Sequence, residues 1–199
     1  MELFRKDWTN KDFDLISDII LNKIILVAND TKYRICEIEM YLQNEDHKDL
    51  YVHCNPEQKN YGTFYFHKYQ NGTYKSGTWK GLDIVFGNKN KYFGILIRSI
   101  MNLDTEEFIE GPCRCVNAIL QEFGFETVAD FFVNNKPQIT LDDSDLHLES
   151  CVMEHKDIYS GTRIGLSNKY PEYKDRMYRY VIYQNKIKKG KKSLIKNNF

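Results

Sequence analysis

Two periods of apolar residues alternate along the chain, one near 3.6 and one of 2, and the switches between them divide it into elements. Thr9 suits a helix N-cap, Asp12 a first turn, and Phe13, Ile16 and Ile20 then share a helical stripe. The apolar run 24–28 reads as a strand, Asn29-Asp30 as a turn, and 33–42 as a second strand. A polar loop follows over 43–60. Strands are expected within 63–87, with Asn71-Gly72 a hairpin turn, and again over 92–100. "EGPCRCVNAILQEFGF" predicts a helix: Pro112 suits its first turn, Gly124 its exit, and Val116, Ile119, Leu120 and Phe123 its buried stripe. Residues 125–160 read as short strands around an acidic loop, "LDDSDLHLES", and 163–166 and 176–183 as late strands. The sum predicts one α+β domain, a mostly antiparallel curved sheet with a few flanking helices.

Within "RICEIEMYL" (34–42) the alternation puts Cys36, Ile38, Met40 and Leu42 on one face, fit for a core. The other face carries Glu37, Glu39 and Tyr41. The bland reading is a solvated outer face, which asks for no chemistry. The functional reading is a pair of carboxylates close enough to push their pKa values apart, beside an aromatic stacking surface.

Composition adds two constraints. The net charge is zero, but "KIKKGKKSLIKNNF" (186–199) holds six Lys and no acid, leaving −6 on residues 1–185. That divides the chain into a folded body, 1–185, and a Lys-rich solvated arm, 186–199; a nucleic-acid tether is the other reading of such a run. The five Cys are odd in number and lack paired zinc spacing, and the five His are scattered, so no metal site and no cofactor are expected. With neither an apolar leader nor a long apolar run in sight, an intracellular protein with reduced thiols and no membrane contact is expected.

Two further features carry candidate chemistry. Arg98 sits near the end of an apolar strand, either as a packed, snorkelling arginine or as a clamp for phosphate or carboxylate. Over 63–80, Phe64, Phe66, His67, Tyr69, Tyr74 and Trp79 interleave with Lys68, Lys75 and Lys80. Such a pattern serves stacking and phosphate contact in nucleic-acid binders, and is also what strands favour for their own sake.

Taken in order, these segments resemble the mammalian-type alkyladenine (3-methyladenine) DNA glycosylase family, of which the chain looks like a divergent member. "ISDIILNKIILV" is similar to the family's helix and strand before its active site, and "RICEIEMYL" to its R-I-V-E-T-E-A-Y segment. "GLDIVFG…GILIRSI" resembles its stretch ending V-L-I-R-A, "GPCRCVNAIL" its G-P-x-K-L-x-x-A-L helix, and "RIGL" with "RMYRYVI" its C-terminal segments. The ordered set spans most of residues 16–183.

The resemblance implies a monofunctional DNA glycosylase: a hydrolase of base excision repair that flips a damaged or alkylated purine out of duplex DNA and leaves an abasic site. It implies Glu39 as the group that orients or deprotonates water, Arg98 as a second catalytic residue that holds backbone phosphate or orients the water, and Tyr41 as a stacking surface for the base. His53, with His47 the alternative, would contact the base; Phe66, His67 and Tyr69 are candidates for a second aromatic wall. Tyr74, Lys75 and Lys80 would meet DNA, Tyr74 standing nearest to the family's wedge tyrosine. Asp83 departs from the family's asparagine; a carboxylate there can accept from an exocyclic amine that the amide helps to exclude. A monomer acting on damaged double-stranded DNA is expected. The alternative is a non-catalytic nucleic-acid-binding module on the same scaffold.

Overall fold

The helix expected after Thr9 begins with a reciprocal cap. The Thr9 amide and hydroxyl both donate to Asp12 Oδ2, at 2.9 and 2.8 Å, across a short 3-10 turn. α1 (Phe13–Lys23) follows, burying Phe13, Ile16 and Ile20. The computed structural model describes residues 8–134 and 145–197. The strands in chain order are β1 (Ile24–Ala28), β2 (Thr31–Gln43), β3 (Thr63–Phe66), β4 (Leu82–Val85), β5 (Tyr92–Asn102) and β6 (Phe108–Glu110). α2 (Pro112–Glu122) and α3 (Val128–Asn134) come next, then β7 (Leu146–Ser150), β8 (Tyr159–Gly161), α4 (Pro171–Lys174), β9 (Arg179–Val181) and β10 (Ile195–Lys196).

All ten described strands join one antiparallel sheet, making the architecture α+β. Its path runs β10-β8-β9-β2-β5-β4-β3, with β1 and β7 branching from β2, and β6 pairing with β5. The long β2–β5 pair forms the centre, and its register slips twice, between Ile35 and Glu37 and between Glu37 and Ile38. Cys36 on β2 and Arg98 on β5 are the residues passed over. Such bulges bend a strand and re-aim side chains, here beside both glutamates.

One face of β2 packs Cys36, Ile38, Met40 and Leu42 into the main core with α1, α2 and Phe93, Ile95 and Ile97 of β5. The other face is not solvated: Glu37 is 1% and Glu39 0% exposed. The bland reading of the acidic strand therefore fails, because loops and the C-terminal segment roof that face of the sheet.

Several local expectations are corrected. The Asn71-Gly72 turn forms, with Gly72 at φ +83° and the Tyr69 amide donating to Thr73 O at 2.8 Å. Beyond it the chain makes only the isolated bridge Lys68–Tyr74, and β3's partner β4 begins later, at Leu82. Residues 163–166 form no strand; the Ile164 amide donates to the Glu39 side chain rather than to a neighbouring strand. Residues 141–144 of the acidic loop lie outside the described residues, and its second half is β7. The Lys-rich segment is no solvated arm over 186–197: Ile187 and Leu194 are buried, β10 pairs with β8, and Glu110 accepts from the Lys188 and Lys189 amides. Two apolar anchors in an otherwise cationic run suffice to dock it, while all six lysines remain exposed. Among the described residues, no helix is long and apolar enough to cross a membrane.

Candidate active site

The strand register brings candidates from distant parts of the chain into one row. Tyr65 pairs with Asp83, Asp83 with Leu96, Leu96 with Glu39, and Glu39 with Arg179. Side chains opposite one another in paired strands share a face, so these five lie side by side across five strands.

Glu39 is fully buried but well supplied with donors. The Ile164 amide donates to Oε1 at 2.7 Å, the Tyr41 hydroxyl donates to Oε2 at 2.8 Å, and Arg98 Nη1 lies 3.3 Å from Oε1. Burial pushes the Glu39 pKa above the ordinary carboxylate range, against the opposing pull of Arg98, the Ile164 amide and Tyr41. Burial disfavours the Arg98 cation, yet Glu39 and Glu37 outweigh it and raise its pKa. Burial and the Glu39 charge likewise hold the Tyr41 phenol protonated. Glu37 stands behind this group. It accepts from Arg98 Nε at 3.0 Å, from Arg179 Nε at 2.7 Å and from the Ser99 hydroxyl. Arg179 in turn donates to the carbonyls of Lys189, at 2.8 Å, and Gly190, at 3.4 Å. The docked C-terminal segment thus terminates a chain of alternating charges that starts at Glu39.

Beside this group lies a small pocket walled by Tyr41, Tyr51, His53 and Leu166 and floored by Gln58, His67, Asp83 and Leu96. Asp83 is 2% exposed. His67 Nε2 lies 2.7 Å from its Oδ1, and the Gln58 amide donates to Oδ2 at 3.2 Å. A carboxylate only accepts, which fixes the His67 proton on Nε2. At the mouth, the Lys75 ammonium donates to His53 Nε2 at 3.2 Å. The packing of the His53 ring against the pocket pushes its pKa down to about 4, with His67 adding to the effect. His53 is therefore a neutral acceptor at pH 7.

Other expected residues lie elsewhere. Phe66 points to the opposite face of β3 and packs on Phe131 and Phe132, because alternation gives the pocket face to Tyr65 and His67. His47 is in the core against Phe13 and Tyr178. Tyr74 is stacked on Phe132 with ring centroids 4.8 Å apart and is half-buried, not projecting as a wedge. Lys80 donates weakly to Glu126 O at 3.4 Å, outside the pocket. Tyr69 and Trp79 are exposed, 42% and 70%.

No family model matches the chain. It is 44% identical over 200 residues to "Uncharacterized protein L759" of Acanthamoeba polyphaga mimivirus, covering 93% of each chain. The chain belongs to that viral protein's family. The name of that relative states no activity.

Sequence reasoning missed three of these groups. Arg163, 3% exposed, holds Asp49 through both terminal nitrogens at 2.5 and 3.2 Å and lies over the Tyr41 ring at 4.5 Å. It pins residues 163–166, and with them the amide that meets Glu39. Gln58 carries a legible signal: "NPEQ" is a capping-box pattern, and the Asn55 amide donates to Gln58 Oε1 at 3.2 Å. That bond turns the amide nitrogen of Gln58 toward Asp83. Arg179 carries none, because an arginine in a late strand is ordinarily exposed at its head.

Proposed function

We propose that this protein is a monofunctional DNA glycosylase acting on a flipped-out, modified purine. The observation that carries the reading is Glu39: a buried, donor-supplied carboxylate with Tyr41 as its link to a pocket of flat rings. In the proposed step, water attacks the sugar anomeric carbon while the bond from that carbon to the base nitrogen breaks. The bonding pair leaves with the base, and Glu39 takes the proton from water. Products are the free base and an abasic site. Before proton transfer, the carboxylate charge stabilises the oxocarbenium-like transition state, an effect strengthened by exclusion of water. Arg98 holds Glu39 in place, and Tyr41, backed by Arg163, offers its ring to the base. No lysine Schiff base, metal or cofactor takes part, and the substrate is duplex DNA met by a monomer inside the cell.

Single-turnover release from duplexes bearing hypoxanthine, ethenoadenine, 3-methyladenine or 7-methylguanine tests this. Glu39-dependent release with an abasic product is expected. A second reading, a non-catalytic nucleic-acid-binding module, is favoured by one observation: both Glu39 oxygens are engaged and the residue is closed to solvent. Salt-sensitive DNA binding with no release from any duplex supports that reading over the enzyme.

A further inference from the structure

The floor of the pocket carries information about its ligand. We infer that Asp83 reads a purine with the guanine-type edge, a ring N–H beside an exocyclic amine, and that the site prefers such bases over those lacking the amine. This deepens the base-holding part of the reading above and is independent of its cleavage chemistry.

Asp83 is an acceptor built into the site at some cost. Its carboxylate is almost wholly buried, and the donors that meet it are themselves pocket residues, His67 on one oxygen and Gln58 on the other. Each carboxylate oxygen keeps a lone pair beyond the one its protein donor uses, so the carboxylate can accept further from a ligand entering the pocket it lines. Both protein donors are fixed from behind: Gln58 by the Asn55 amide, His67 by close packing on Gly81, where a Cβ would come within 2.5 Å of Nδ1. Gly94, on the strand beyond, leaves space for the carboxylate, since a Cβ there would come within 2.3 Å of Asp83 Oδ2. The fork is therefore held at one place and angle, as a bidentate contact requires.

The strand row sets the distance to the bond that would break. Asp83 and Glu39 lie two strands apart with Leu96 between them, so their backbones are separated by roughly 10 Å. A purine laid flat on Leu96 with its amine-bearing edge on Asp83 directs its sugar-bearing nitrogen toward Glu39. A ligand with only acceptors on that edge would face a buried carboxylate with nothing to donate, which binding sites penalise strongly.

The test is equilibrium binding of two soluble probes that differ by one amino group, guanosine and inosine, to the intact protein by titration calorimetry. Wild type should bind guanosine about tenfold to a hundredfold more tightly, the span for one hydrogen bond to a charged group. Asp83→Asn, nearly identical in shape, should bring the ratio to within about threefold. Equal or tighter binding of inosine by wild type, no binding of either probe at about 5 mM, or an unchanged ratio in a folded Asp83→Asn protein would each overturn the inference. If that variant does not fold, the wild-type ranking decides. Guanosine preference without base release refutes the enzyme and leaves the inference standing. Release without guanosine preference does the reverse.

Discussion

Replacing Glu39 by Gln separates chemistry from architecture, because the surroundings accept the amide in one orientation. Its carbonyl can take the place of Oε1 and accept from the Ile164 amide and Arg98, while its NH₂ meets the Tyr41 hydroxyl. That hydroxyl then turns to accept instead of donate. The variant gives up the Glu39–Arg98 attraction but also a carboxylate whose pKa burial has raised, so the two losses offset. Stability should change by no more than about 2 kcal/mol, well below the 3–5 typical of an orphaned buried charge, because Arg98 keeps Glu37. Base release should fall about 10²- to 10⁴-fold, or roughly 3–5.5 kcal/mol of barrier, the range for loss of a positioned general base. Single-turnover release, with chemical denaturation as the stability control, measures both. The pH profile adds a sign. Glu39 acts when ionised, so the wild-type rate should drop as pH falls through a value above the ordinary carboxylate range. The folded state also holds that proton more tightly than the unfolded one, so the contribution of Glu39 to stability should decline as pH rises through the same window, and E39Q should lack this decline. A variant that releases base as fast as wild type would refute the assignment.

Three other perturbations test the scaffold. Arg163→Met leaves Asp49 buried without its cation and should cost about 3–5 kcal/mol in urea denaturation; a loss under about 1 kcal/mol would show that the pair is not structurally coupled. Removing residues 186–199 strips the carbonyl partners from Arg179 and exposes what Ile187 and Leu194 cover. Stability should fall by at least about 3 kcal/mol from two apolar side chains alone, whereas an undocked arm would leave the denaturation midpoint unchanged. Gly94→Ala should cost about 1–3 kcal/mol and reduce nucleoside binding, because its methyl meets the Asp83 carboxylate; unaltered calorimetric binding would show that Asp83 can move freely.

The central sheet was legible because its strands carry strong alternation. The paired placement of Glu37, Glu39 and Tyr41 on one face of β2 follows from period two alone, as does Arg98 two positions beyond Leu96 on β5. The burial of that face was not legible. It depends on Arg163 reaching Asp49, 114 residues away, and on Arg179 reaching Glu37, 142 away, and no local pattern reports such pairings. Phe66 was misplaced for a related reason. Phe64, Tyr65, Phe66 and His67 are all plausible pocket walls by composition, and only the register with β4 decides which pair faces the core. The tail was misread because charge density dominates its appearance, while its docking rests on Ile187, Leu194 and backbone bonds to Glu110.

The two carboxylates of the row have opposite physical situations, and that difference orders their roles. Asp83 has partners that are side chains of the pocket itself, and ligand donors can join them without displacing any. Glu39 is enclosed by an amide, a phenol and a guanidinium, each held by a residue outside the pocket: Ile164 and Tyr41 by Arg163, Arg98 by Glu37. A recognition group benefits from the first arrangement, since binding can add bonds to it. A group that must meet a developing positive charge benefits from the second, since its surroundings need not reorganise when that charge forms. The path between them is short. Tyr41 both lines the pocket and donates to Glu39, so under the proposed function a base drawn down onto Asp83 and Leu96 would press on the ring whose hydroxyl covers Glu39 Oε2. On this reading the tyrosine is the element through which base binding reaches Glu39. Tyr41→Phe should then leave the guanosine-to-inosine ratio intact while altering the rate and pH dependence of release. If the ratio and the release profile change together, Tyr41 is part of recognition itself, and the division of labour between the two carboxylates is wrong.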